Sequence, residues 1–513
     1  MTATETSAAE DAPIASFKDP RAMALSRVGV VDVGSNSVRM VVFDGAARSP
    51  AYYYNEKLMC GLGAGVRETG LLNPEGRARA LKAIVRFQSI ARSLGIEPLS
   101  AVATAAVREA DDGEDFRRDV ADVTGLNLRV IDGPEEARLS AQGVLLGWPG
   151  SFGLVCDIGG SSMELATISD GKIGTCLTSQ LGPLRLKGIK GGKKATTKYI
   201  KEVVNDLSDQ LGQQSDRLFL VGGSWRAIAR IDMLRRGYPL HVLHEYRMSL
   251  KNVRATIKFI RNTHVDDLQA MSGNSAARMA LVPLAAEVLS RLIKTFKPVD
   301  IAVSSYGIRE GLLYEKMPDE IRDMDPLIES CRFSESKDAR LVGFGDVLFD
   351  FVMPLFKGRP ESWHRVIHAA CLLHDVNWRA HPDYRADACF DNVTRANLGG
   401  LKHSERVFLG IALLHRYKNK REGSRFEDLA KLLDDVDVET AEVLGKAMRF
   451  GAMMWLQSDD QPGKFKWYPR KKVLELYLAD SAGPLFGETA NARLESLASS
   501  LGAEVVVKRW KKS

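Results

Sequence analysis

The chain has 513 residues, of which 45% are hydrophobic and 27% are charged, and its net charge is +6. This composition is typical of a globular protein of several domains and excludes a collagen-like or low-complexity chain. No run of about 18 apolar residues occurs, so we expect no transmembrane helix and no membrane partner. Residues 1–24 lack the basic and apolar regions of a signal peptide and predict a disordered tail. The six cysteines lack metal-binding spacing, which indicates reduced thiols and a cytoplasmic location.

The first part of the chain alternates strand and helix patterns. Residues 28–43 predict two strands joined by a polar turn. Further predicted elements follow in order: a helix that Asn73 caps, a strand at 99–104, a helix at 112–124, a strand at 127–132 and a helix at 134–147. Alternation of this kind predicts an α/β fold with parallel strand pairing.

The segment LVCDIGGSSMEL at 154–165 repeats the opening pattern, VVDVGSNSVRMVVF, in which a polar turn interrupts apolar residues. A helix at 196–212 and a strand at 217–223 follow it. A strand, a Ser-Gly turn and a helix recur at 300–314. These repeats predict an internal duplication, with one domain over 25–150 and a second over 151–320.

The pattern changes near residue 325. The following segments are helical, and six of the nine histidines lie between His364 and His415. The last residues again mix helix and strand patterns. We therefore predict a helical domain over 321–430 and a small α+β domain over 431–513.

The two polar turns point to phosphate binding. Glycine lets the backbone approach a ligand, and serine and asparagine add hydrogen bonds to its oxygens. One such turn alone is also a plain hairpin bend, but the second copy favours the phosphate interpretation. Asp32 and Asp157 each precede a turn and are candidate Mg²⁺ ligands. The candidate phosphate-binding residues of the turns are Gly34, Ser35, Asn36, Ser37, Gly159, Gly160, Ser161 and Ser162.

Two further residues are candidates for catalysis. Glu136, in the pair Glu135-Glu136, begins a helix after a strand, where a carboxylate can take the proton of an attacking water. A first-turn glutamate is equally explained by the helix dipole. Arg108 follows another strand and can hold a phosphoryl group, although a surface arginine is the competing interpretation.

Basic residues concentrate in 178–201, which contains no acidic residue, and in the C-terminal VVVKRWKKS. Such clusters suit a polyanion, and they are also compatible with a solvated loop. The small overall charge does not indicate a specific nucleic acid partner.

Six motifs in this order resemble the exopolyphosphatase/guanosine pentaphosphate phosphohydrolase (Ppx/GppA) family. They are DVGSNSVRM, ATAAVREA, VIDGPEEARL, DIGGSSMEL, VGGSWRAIA and VSSYGIREGLL. The resemblance covers roughly residues 28–315. It implies duplicated halves of the actin, Hsp70 and sugar-kinase (ribonuclease H-like) fold. It also implies Glu136 as the catalytic glutamate, Arg108 in the catalytic segment, Gly223 and Ser224 in a third phosphate turn, and Glu164 beside the metal.

Three positions depart from the family pattern. Ser161 stands for a third glycine, Met163 for a threonine, and Ala105 for a serine. Because backbone N–H groups survive these changes, we expect phosphate binding to persist. The loop geometry and one hydroxyl contact are expected to differ.

The helical region is similar to the HD-like domain of longer family members. His374-Asp375, His403 and His415 match the HD pattern, and His364 and His368 precede it on a helix. No earlier histidine lies in 325–363 to complete a metal site. We expect an HD-like domain without a functional metal.

The resemblance implies an exopolyphosphatase, a phosphoanhydride hydrolase that uses Mg²⁺ and releases terminal phosphate from inorganic polyphosphate. Guanosine pentaphosphate 5′-phosphohydrolysis is the main alternative, with guanosine tetraphosphate as a further ligand. An actin-fold sugar kinase and a catalytically weak nucleotide-sensing protein are less favoured. A homodimer with the C-terminal domains at its interface is also implied.

Overall fold

The computed structural model describes residues 27–44, 48–96, 99–212, 216–420, 426–454 and 462–510. The chain forms two compact units. The N-terminal unit contains Leu25–Pro326 and Asn397–His403, and the C-terminal unit contains Leu327–Ala396 and Ser404–Ser513. The predicted boundaries near residues 150 and 430 fall inside these units and remain predictions, and the predicted tail lies outside the described residues.

Two sheets form the centre of the N-terminal unit. The strands of the first sheet are β1 (Val28–Val33), β2 (Ser37–Phe43), β3 (Tyr52–Met59), β4 (Ser100–Ala103) and β5 (Leu128–Val130). The strands of the second are β6 (Gly153–Ile158), β7 (Met163–Ser169), β8 (Lys172–Ser179), β9 (Arg217–Val221), β10 (Tyr246–Met248) and β11 (Asp300–Val303).

The two sheets share one topology. Their strand orders are β3-β2-β1-β4-β5 and β10-β11-β9-β6-β7-β8. In each, the first strand forms an antiparallel hairpin with the next and pairs in parallel with a later one, β1 with β4 and β6 with β9. This repetition confirms the predicted duplication and the α/β fold.

Helices cover the sheets where the sequence has apolar residues at helical spacing. Asn73 accepts a hydrogen bond from the Gly76 amide (2.8 Å) and so caps the predicted first long helix. The helices of this unit are α1 (Val66–Thr69), α2 (Pro74–Ser93), α3 (Ala105–Glu109), α4 (Gly113–Thr124), α5 (Gly133–Gly147), α6 (Pro183–Lys187), α7 (Gly192–Leu211), α8 (Gly223–Arg235), α9 (Leu250–Asn262), α10 (Val265–Ser272), α11 (Ala276–Met279), α12 (Val282–Phe296), α13 (Ile308–Glu315) and α14 (Asp319–Arg322).

One predicted strand is shorter than expected. The strand predicted over 127–132 ends at Val130, because Asp132 serves as the cap of α5 and accepts a hydrogen bond from the Glu135 amide at 2.8 Å. The strand-to-helix connection is therefore short, and it holds the first turn of α5 at the end of the sheet.

The C-terminal unit is helical before it closes with a small sheet. Its helices are α15 (Pro326–Asp338), α16 (Phe344–Val352), α17 (Glu361–Leu373), α18 (Arg385–Arg395), α19 (His403–His415), α20 (Glu427–Ala430), α21 (Asp435–Met454) and α22 (Glu488–Leu501), with 3₁₀ turns at Met353–Leu355 and Asp480–Leu485. Strands β12 (Gly463–Tyr468), β13 (Val473–Ala479) and β14 (Glu504–Trp510) pair in that order. In the described part of the chain, no helix has the length and apolar character required to span a membrane.

Candidate active site

A cavity of about 230 Å³ lies between the two sheets of the N-terminal unit, at the ends of their hairpins. It brings together both predicted phosphate turns, both strand-end aspartates and Glu136. Its lining consists of Asp32, Gly34, Ser35, Asn36, Ser37, Thr104, Ala105, Glu136, Asp157, Gly159, Gly160, Ser161, Ser162, Val221, Gly222, Arg226, Ser305, Gly307, Ile308 and Arg309.

The first turn directs backbone N–H groups into this cavity. The Ser35 carbonyl accepts a hydrogen bond from the Gly63 amide (2.7 Å), and the Asn36 carbonyl accepts from the amides of Cys60 and Gly61 (3.0 Å each). In a planar trans peptide the N–H points opposite to the C=O. The N–H groups of Asn36 and Ser37 therefore point away from residues 60–63, which bind the neighbouring carbonyls.

The second turn is built in the same way. The Gly160 carbonyl accepts from the Leu184 amide (2.9 Å) and the Ser161 carbonyl from the Gly182 amide (3.2 Å). The amides of Ser161 and Ser162 consequently face the cavity side. Two such sets of oriented amides form an anion-binding concavity.

Neighbouring glutamates have opposite environments at the start of α5. Glu135 pairs with Arg138 (2.6 Å) and Arg129 (3.2 Å), and its hydrogen bond to Arg138 lowers its pKa. Glu136 is only 6% exposed, and its Oε2 atom has no hydrogen-bond partner within the described ranges. Burial, and then the nearby Asp157, raise the pKa of Glu136 to about 8. A carboxyl with this pKa can exchange a proton near neutral pH.

Two aspartates lie at the floor of the cavity. Burial raises the pKa of Asp32, although Arg309 and Arg39 oppose the shift. Burial likewise raises the pKa of Asp157, which accepts a hydrogen bond from the Ser140 hydroxyl. Gly222 has a φ of 110°, and a Cβ there would lie 2.6 Å from the Ile158 carbonyl oxygen, so glycine permits this turn to approach Asp157.

The two hairpins carry opposite charges at equivalent positions. In the first, Asp32 pairs across the strands with Arg39, which in turn pairs with Lys57 on β3. In the second, Asp157 pairs with Glu164. The repeated scaffold thus presents cations on one side and carboxylates on the other.

The positive side extends to five side chains, which we call the cationic cluster. Burial lowers the pKa of Lys57, and the neighbouring positive charges lower it further. Arg278 lies beside the start of α8, where its guanidinium would be 3.1–3.2 Å from a Cβ on Gly223. The members of the cluster are Arg39, Lys57, Arg226, Arg278 and Arg309.

Arg309 is positioned by its neighbour Glu310. The Glu310 carboxylate accepts hydrogen bonds from the Gly307 amide (2.7 Å) and the Tyr52 hydroxyl (2.5 Å), which fixes the turn before α13. Arg309 is 8% exposed, and in the described chain its Nη1 atom has no hydrogen-bond partner. A buried guanidinium with a free N–H group at a cavity wall is suited to an anionic ligand.

Four predicted site residues lie beside the cavity without lining it. Arg108 donates to the Ile131 carbonyl (2.8 Å) and places Nη1 3.6 Å from Glu136 Oε2, so its direct contact is with the predicted catalytic carboxylate. Glu164 is buried and accepts from the Thr178 hydroxyl (3.1 Å). Gly223 and Ser224 begin α8 directly behind the lining residue Gly222.

The sequence analysis assigned no role to the cationic cluster. Arg39 was detectable, because a hairpin that turns at residues 34–36 places it opposite Asp32. Arg226 follows the Gly-Gly-Ser turn by two residues. Lys57 and Arg278 carried no local signal, since only the packing of distant elements brings them near the lining residues Arg226 and Arg309.

The cavity offers carboxylate oxygens as candidate metal ligands. In the ranges that the structure describes, no three His, Cys, Asp or Glu side chains are grouped so that they could hold a metal ion by themselves. Mg²⁺ keeps several waters and is usually held by one or two carboxylates together with substrate phosphates. Asp32 and Asp157, buried hard-oxygen donors beside the phosphate turns, fit that mode, and Glu164 adds a buried carboxylate oxygen without a hydrogen-bond partner in this part of the chain.

Several residues in and before the HD-like pattern contact other protein groups. Burial lowers the pKa of His374 to about 4. Asp375 accepts from Arg340 Nε (2.9 Å) and Nη2 (2.6 Å), so a guanidinium neutralises this carboxylate. His403 belongs to the N-terminal unit, and His368 Nε2 lies 2.6 Å from Asp346.

Comparisons with known proteins agree with this arrangement. Residues 41–320 match the model of the Ppx/GppA phosphatase family, and residues 353–507 match that of the exopolyphosphatase C-terminal domain. Exopolyphosphatase 1 of Mycobacterium tuberculosis is 28% identical over 329 residues, which cover 62% of this chain and 95% of that protein. The guanosine-5′-triphosphate,3′-diphosphate pyrophosphatase of Aliivibrio fischeri is 24% identical over 405 residues, 76% of this chain and 80% of that protein.

A solved exopolyphosphatase from Cytophaga hutchinsonii has the same fold, with a TM-score of 0.52 and 24% identity over 57% of this chain and 98% of that chain. The family model spans more than half of the sequence, and its match contains the second turn, Glu136 and Arg309. The chain belongs to the Ppx/GppA phosphatase family.

Proposed function

We propose that the protein is an exopolyphosphatase, which releases terminal orthophosphate from inorganic polyphosphate. One observation supports this most directly. A buried glutamate with a pKa of about 8 faces two sets of oriented backbone amides within one small cavity. This combination provides both a binding place for a phosphoryl group and a base for the water that attacks it.

In the proposed reaction, the amides of the turns at 34–37 and 159–162 bind the terminal phosphates. Glu136 accepts the proton of a water as it attacks the terminal phosphorus, and the shortened polyphosphate leaves. Arg309 stabilises the charge that develops on the phosphoryl oxygens, and Arg108 holds Glu136 in place. Phosphoryl transfer depends mainly on positioning and charge stabilisation, so no covalent enzyme intermediate is required.

Mg²⁺ is the proposed cofactor, with Asp32, Asp157 and Glu164 as the residues that would hold it. When bound, it would neutralise part of the phosphate charge. The raised pKa values of Asp32 and Asp157 are consistent with a site in which a cation offsets the cost of burying carboxylates.

The distribution of positive charge favours a polymer as the substrate. The cationic cluster supplies two positive groups that line the cavity, Arg226 and Arg309, and three more close to them, which is more than one phosphoryl group requires. A second basic surface is exposed on α7, where a shallow hollow of about 600 Å³ is lined by Lys193, Lys194, Thr197, Lys198 and Lys201. A long anionic chain can contact both surfaces, and a nucleotide is too short to do so.

Guanosine pentaphosphate is the alternative substrate. A relative that covers 76% of this chain is named for a guanosine polyphosphate, and the same catalytic residues would serve. We also propose a homodimer, which light scattering after gel filtration would test.

The substrate is tested by measuring phosphate release from long-chain polyphosphate and from guanosine pentaphosphate at matched concentrations. Each is assayed with Mg²⁺ and with chelator, and with E136Q as the background control. We expect a higher kcat/KM for polyphosphate. A higher kcat/KM for guanosine pentaphosphate would establish the alternative. Release from neither substrate would contradict both and leave a nucleotide-sensing role.

A further inference from the structure

Residues Asn397–His403 pack within the N-terminal unit, although the chain on both sides of them belongs to the C-terminal unit. We call this segment the strap. It includes the buried residues Leu398 and Leu401. Its contacts join parts of the unit that are far apart in sequence.

The Asn397 side chain connects the two sheet regions. Its Nδ2 donates to the Pro50 carbonyl (3.2 Å), in the connection between β2 and β3 of the first sheet. Its Oδ1 accepts from the Tyr306 hydroxyl (3.3 Å), which follows β11 of the second sheet. The Gly399 amide adds a hydrogen bond to the Ser49 hydroxyl at 3.1 Å.

His403 fixes the other end of the strap. Its Nε2 lies 3.0 Å from the His244 carbonyl oxygen, and its Nδ1 lies 2.9 Å from the Tyr238 hydroxyl. Since a carbonyl only accepts, Nε2 donates and Nδ1 accepts from Tyr238. Both ring nitrogens of a buried histidine are thus used to hold the segment that carries His244.

The strap supports a ring stack that reaches the active site. The His244 ring lies between Trp148 (4.5 Å between centroids) and Tyr306 (4.4 Å). Trp148 follows the last residue of α5, the helix that carries Glu136. The Ser305 amide donates to His244 Nδ1 (3.3 Å), and Ser305 lines the phosphate cavity.

We propose that the strap is a positioning element of the phosphatase reaction, which holds α5 and the turn at 304–307 at the spacing that in-line water attack requires. The proposal rests on the function proposed above for the cavity. The strap thus lets a segment far along the chain fix the geometry of a site that it does not line. Tyr306, Asn397 and His403 are positioning residues, since none of them lines the cavity.

Substitutions at Asn397 test the strap. N397A removes both hydrogen bonds of the side chain. N397D keeps an acceptor for the Tyr306 hydroxyl but loses the donor to Pro50. Y238F removes one bond of His403 and is a milder second variant. The matched control is N419A. In the wild type, the Asn419 side-chain oxygen accepts a hydrogen bond from Arg449 Nη1 (2.6 Å) in the C-terminal unit.

We expect kcat for polyphosphate to fall about tenfold or more in N397A and N397D, because small misplacements of reacting groups are costly. KM should stay within about twofold, and N419A should match the wild type. Hydrogen exchange at the Ser305 amide should accelerate in both Asn397 variants and in Y238F.

Equal kcat values for N397A and N419A would overturn the proposal, as would unchanged exchange at Ser305. Full activity in N397D would also overturn it, since the connection to the first sheet would then be unnecessary. The exchange measurement needs no turnover. It therefore tests the strap even if polyphosphate proves not to be the substrate, an outcome that the wild-type assay alone reveals.

Discussion

Glu135 and Glu136 differ by one position and by about 100° around α5, because an α-helix has 3.6 residues per turn. That rotation places Glu135 among arginines at the surface and Glu136 in the cavity. Chemically identical side chains thereby acquire pKa shifts of opposite sign. The role proposed for Glu136 follows from its surroundings rather than from its residue type.

Replacement of Glu136 by glutamine should lower kcat for phosphate release by about 10²–10⁴-fold, the usual contribution of a general base. Glutamine has nearly the same shape and cannot accept the proton of the attacking water. E135Q is the matched control and should remain within about threefold of the wild type, because its carboxylate forms surface ion pairs. Comparable losses in both variants, or none in E136Q, would contradict the assignment.

Glu136 should also make the protein less stable as the pH rises. Its folded pKa is about 8, whereas an unfolded glutamate has a pKa of about 4.3. Between these two pH values the folded state retains a proton that the unfolded state has released. The contribution of protonated Glu136 to the free energy of unfolding is therefore complete below about pH 4.3 and is lost by about pH 8.

E136Q should therefore unfold at a higher temperature than the wild type at pH 8.5 in chelator, by roughly 2–4 °C for each kcal/mol gained. The two midpoints should converge near pH 5. Thermal unfolding across this pH range measures the difference, and a gap that does not vary with pH would show that Glu136 is not protonated in the folded state.

At the scale of elements, the two hairpins use one backbone design for different electrostatic tasks. The register pairs Asp32 with Arg39 and Asp157 with Glu164. The duplicated fold supplies equivalent turns, and the residues paired with the two aspartates on the neighbouring strands, Arg39 and Glu164, distinguish them. Under the proposed function, the carboxylate side would serve the reaction and the cationic side would bind the substrate.

Neutralising the cationic side should weaken substrate binding more than catalysis. We expect R39Q and K57Q to raise KM for polyphosphate by about three- to tenfold, which corresponds to the net loss of about one ordinary hydrogen bond. Their kcat should change much less. K82Q, an exposed position on α2, is the control. An unchanged KM in both variants would show that these cations do not contact the substrate.

Backbone donors in the second turn can be tested at Ser161, where the family usually has glycine. S161A keeps the N–H and should retain activity within about threefold. S161P removes the N–H and should reduce kcat/KM by about 10²-fold or more, the usual cost of one lost oxyanion donor. Equal losses in S161A and S161P would show that the hydroxyl, rather than the amide, binds phosphate.

At the scale of the whole molecule, the two units of the chain use their buried acidic groups differently. The N-terminal unit gathers Asp32, Asp157 and Glu136 around a cavity. In the C-terminal unit, Asp375 is neutralised by Arg340 at 2.6 Å. The prediction that this HD-like domain lacks a functional metal is compatible with this ion pair, which already compensates the buried carboxylate.

Chelation should therefore separate catalysis from stability. EDTA should abolish phosphate release, and added Mg²⁺ should restore it. The thermal unfolding of the C-terminal unit should not change, because Asp375 needs no metal. Hydrolysis that persists in chelator would contradict the cofactor assignment, and a lower unfolding midpoint of that unit would indicate a structural metal.

Much of the secondary structure of the N-terminal unit was predictable from local sequence patterns. Asn73 and Asp132 mark the starts of α2 and α5 through their side-chain acceptors, and the alternating apolar residues around Asp32 and Asp157 indicate hairpins. Those signals depend on neighbours in sequence. The end of β5 was misplaced by two residues, because Asp132 is used as a helix cap and not as a strand residue.

The sequence by itself determined the duplicated α/β scaffold with its two polar turns, since these depend on residue types at short, regular spacing. The prediction that the turns bind phosphate rested on their repetition, and the choice of Glu136 rested on the resemblance to the family. Only the tertiary structure decided which charges share the cavity. Sheet pairing and helix packing bring Lys57 close to Arg278 and to the lining residue Arg309, each more than 200 residues away in sequence. The strap likewise could not be predicted from the sequence, because the hydrogen bonds of Asn397 to Pro50 and Tyr306 join distant segments and leave no local pattern.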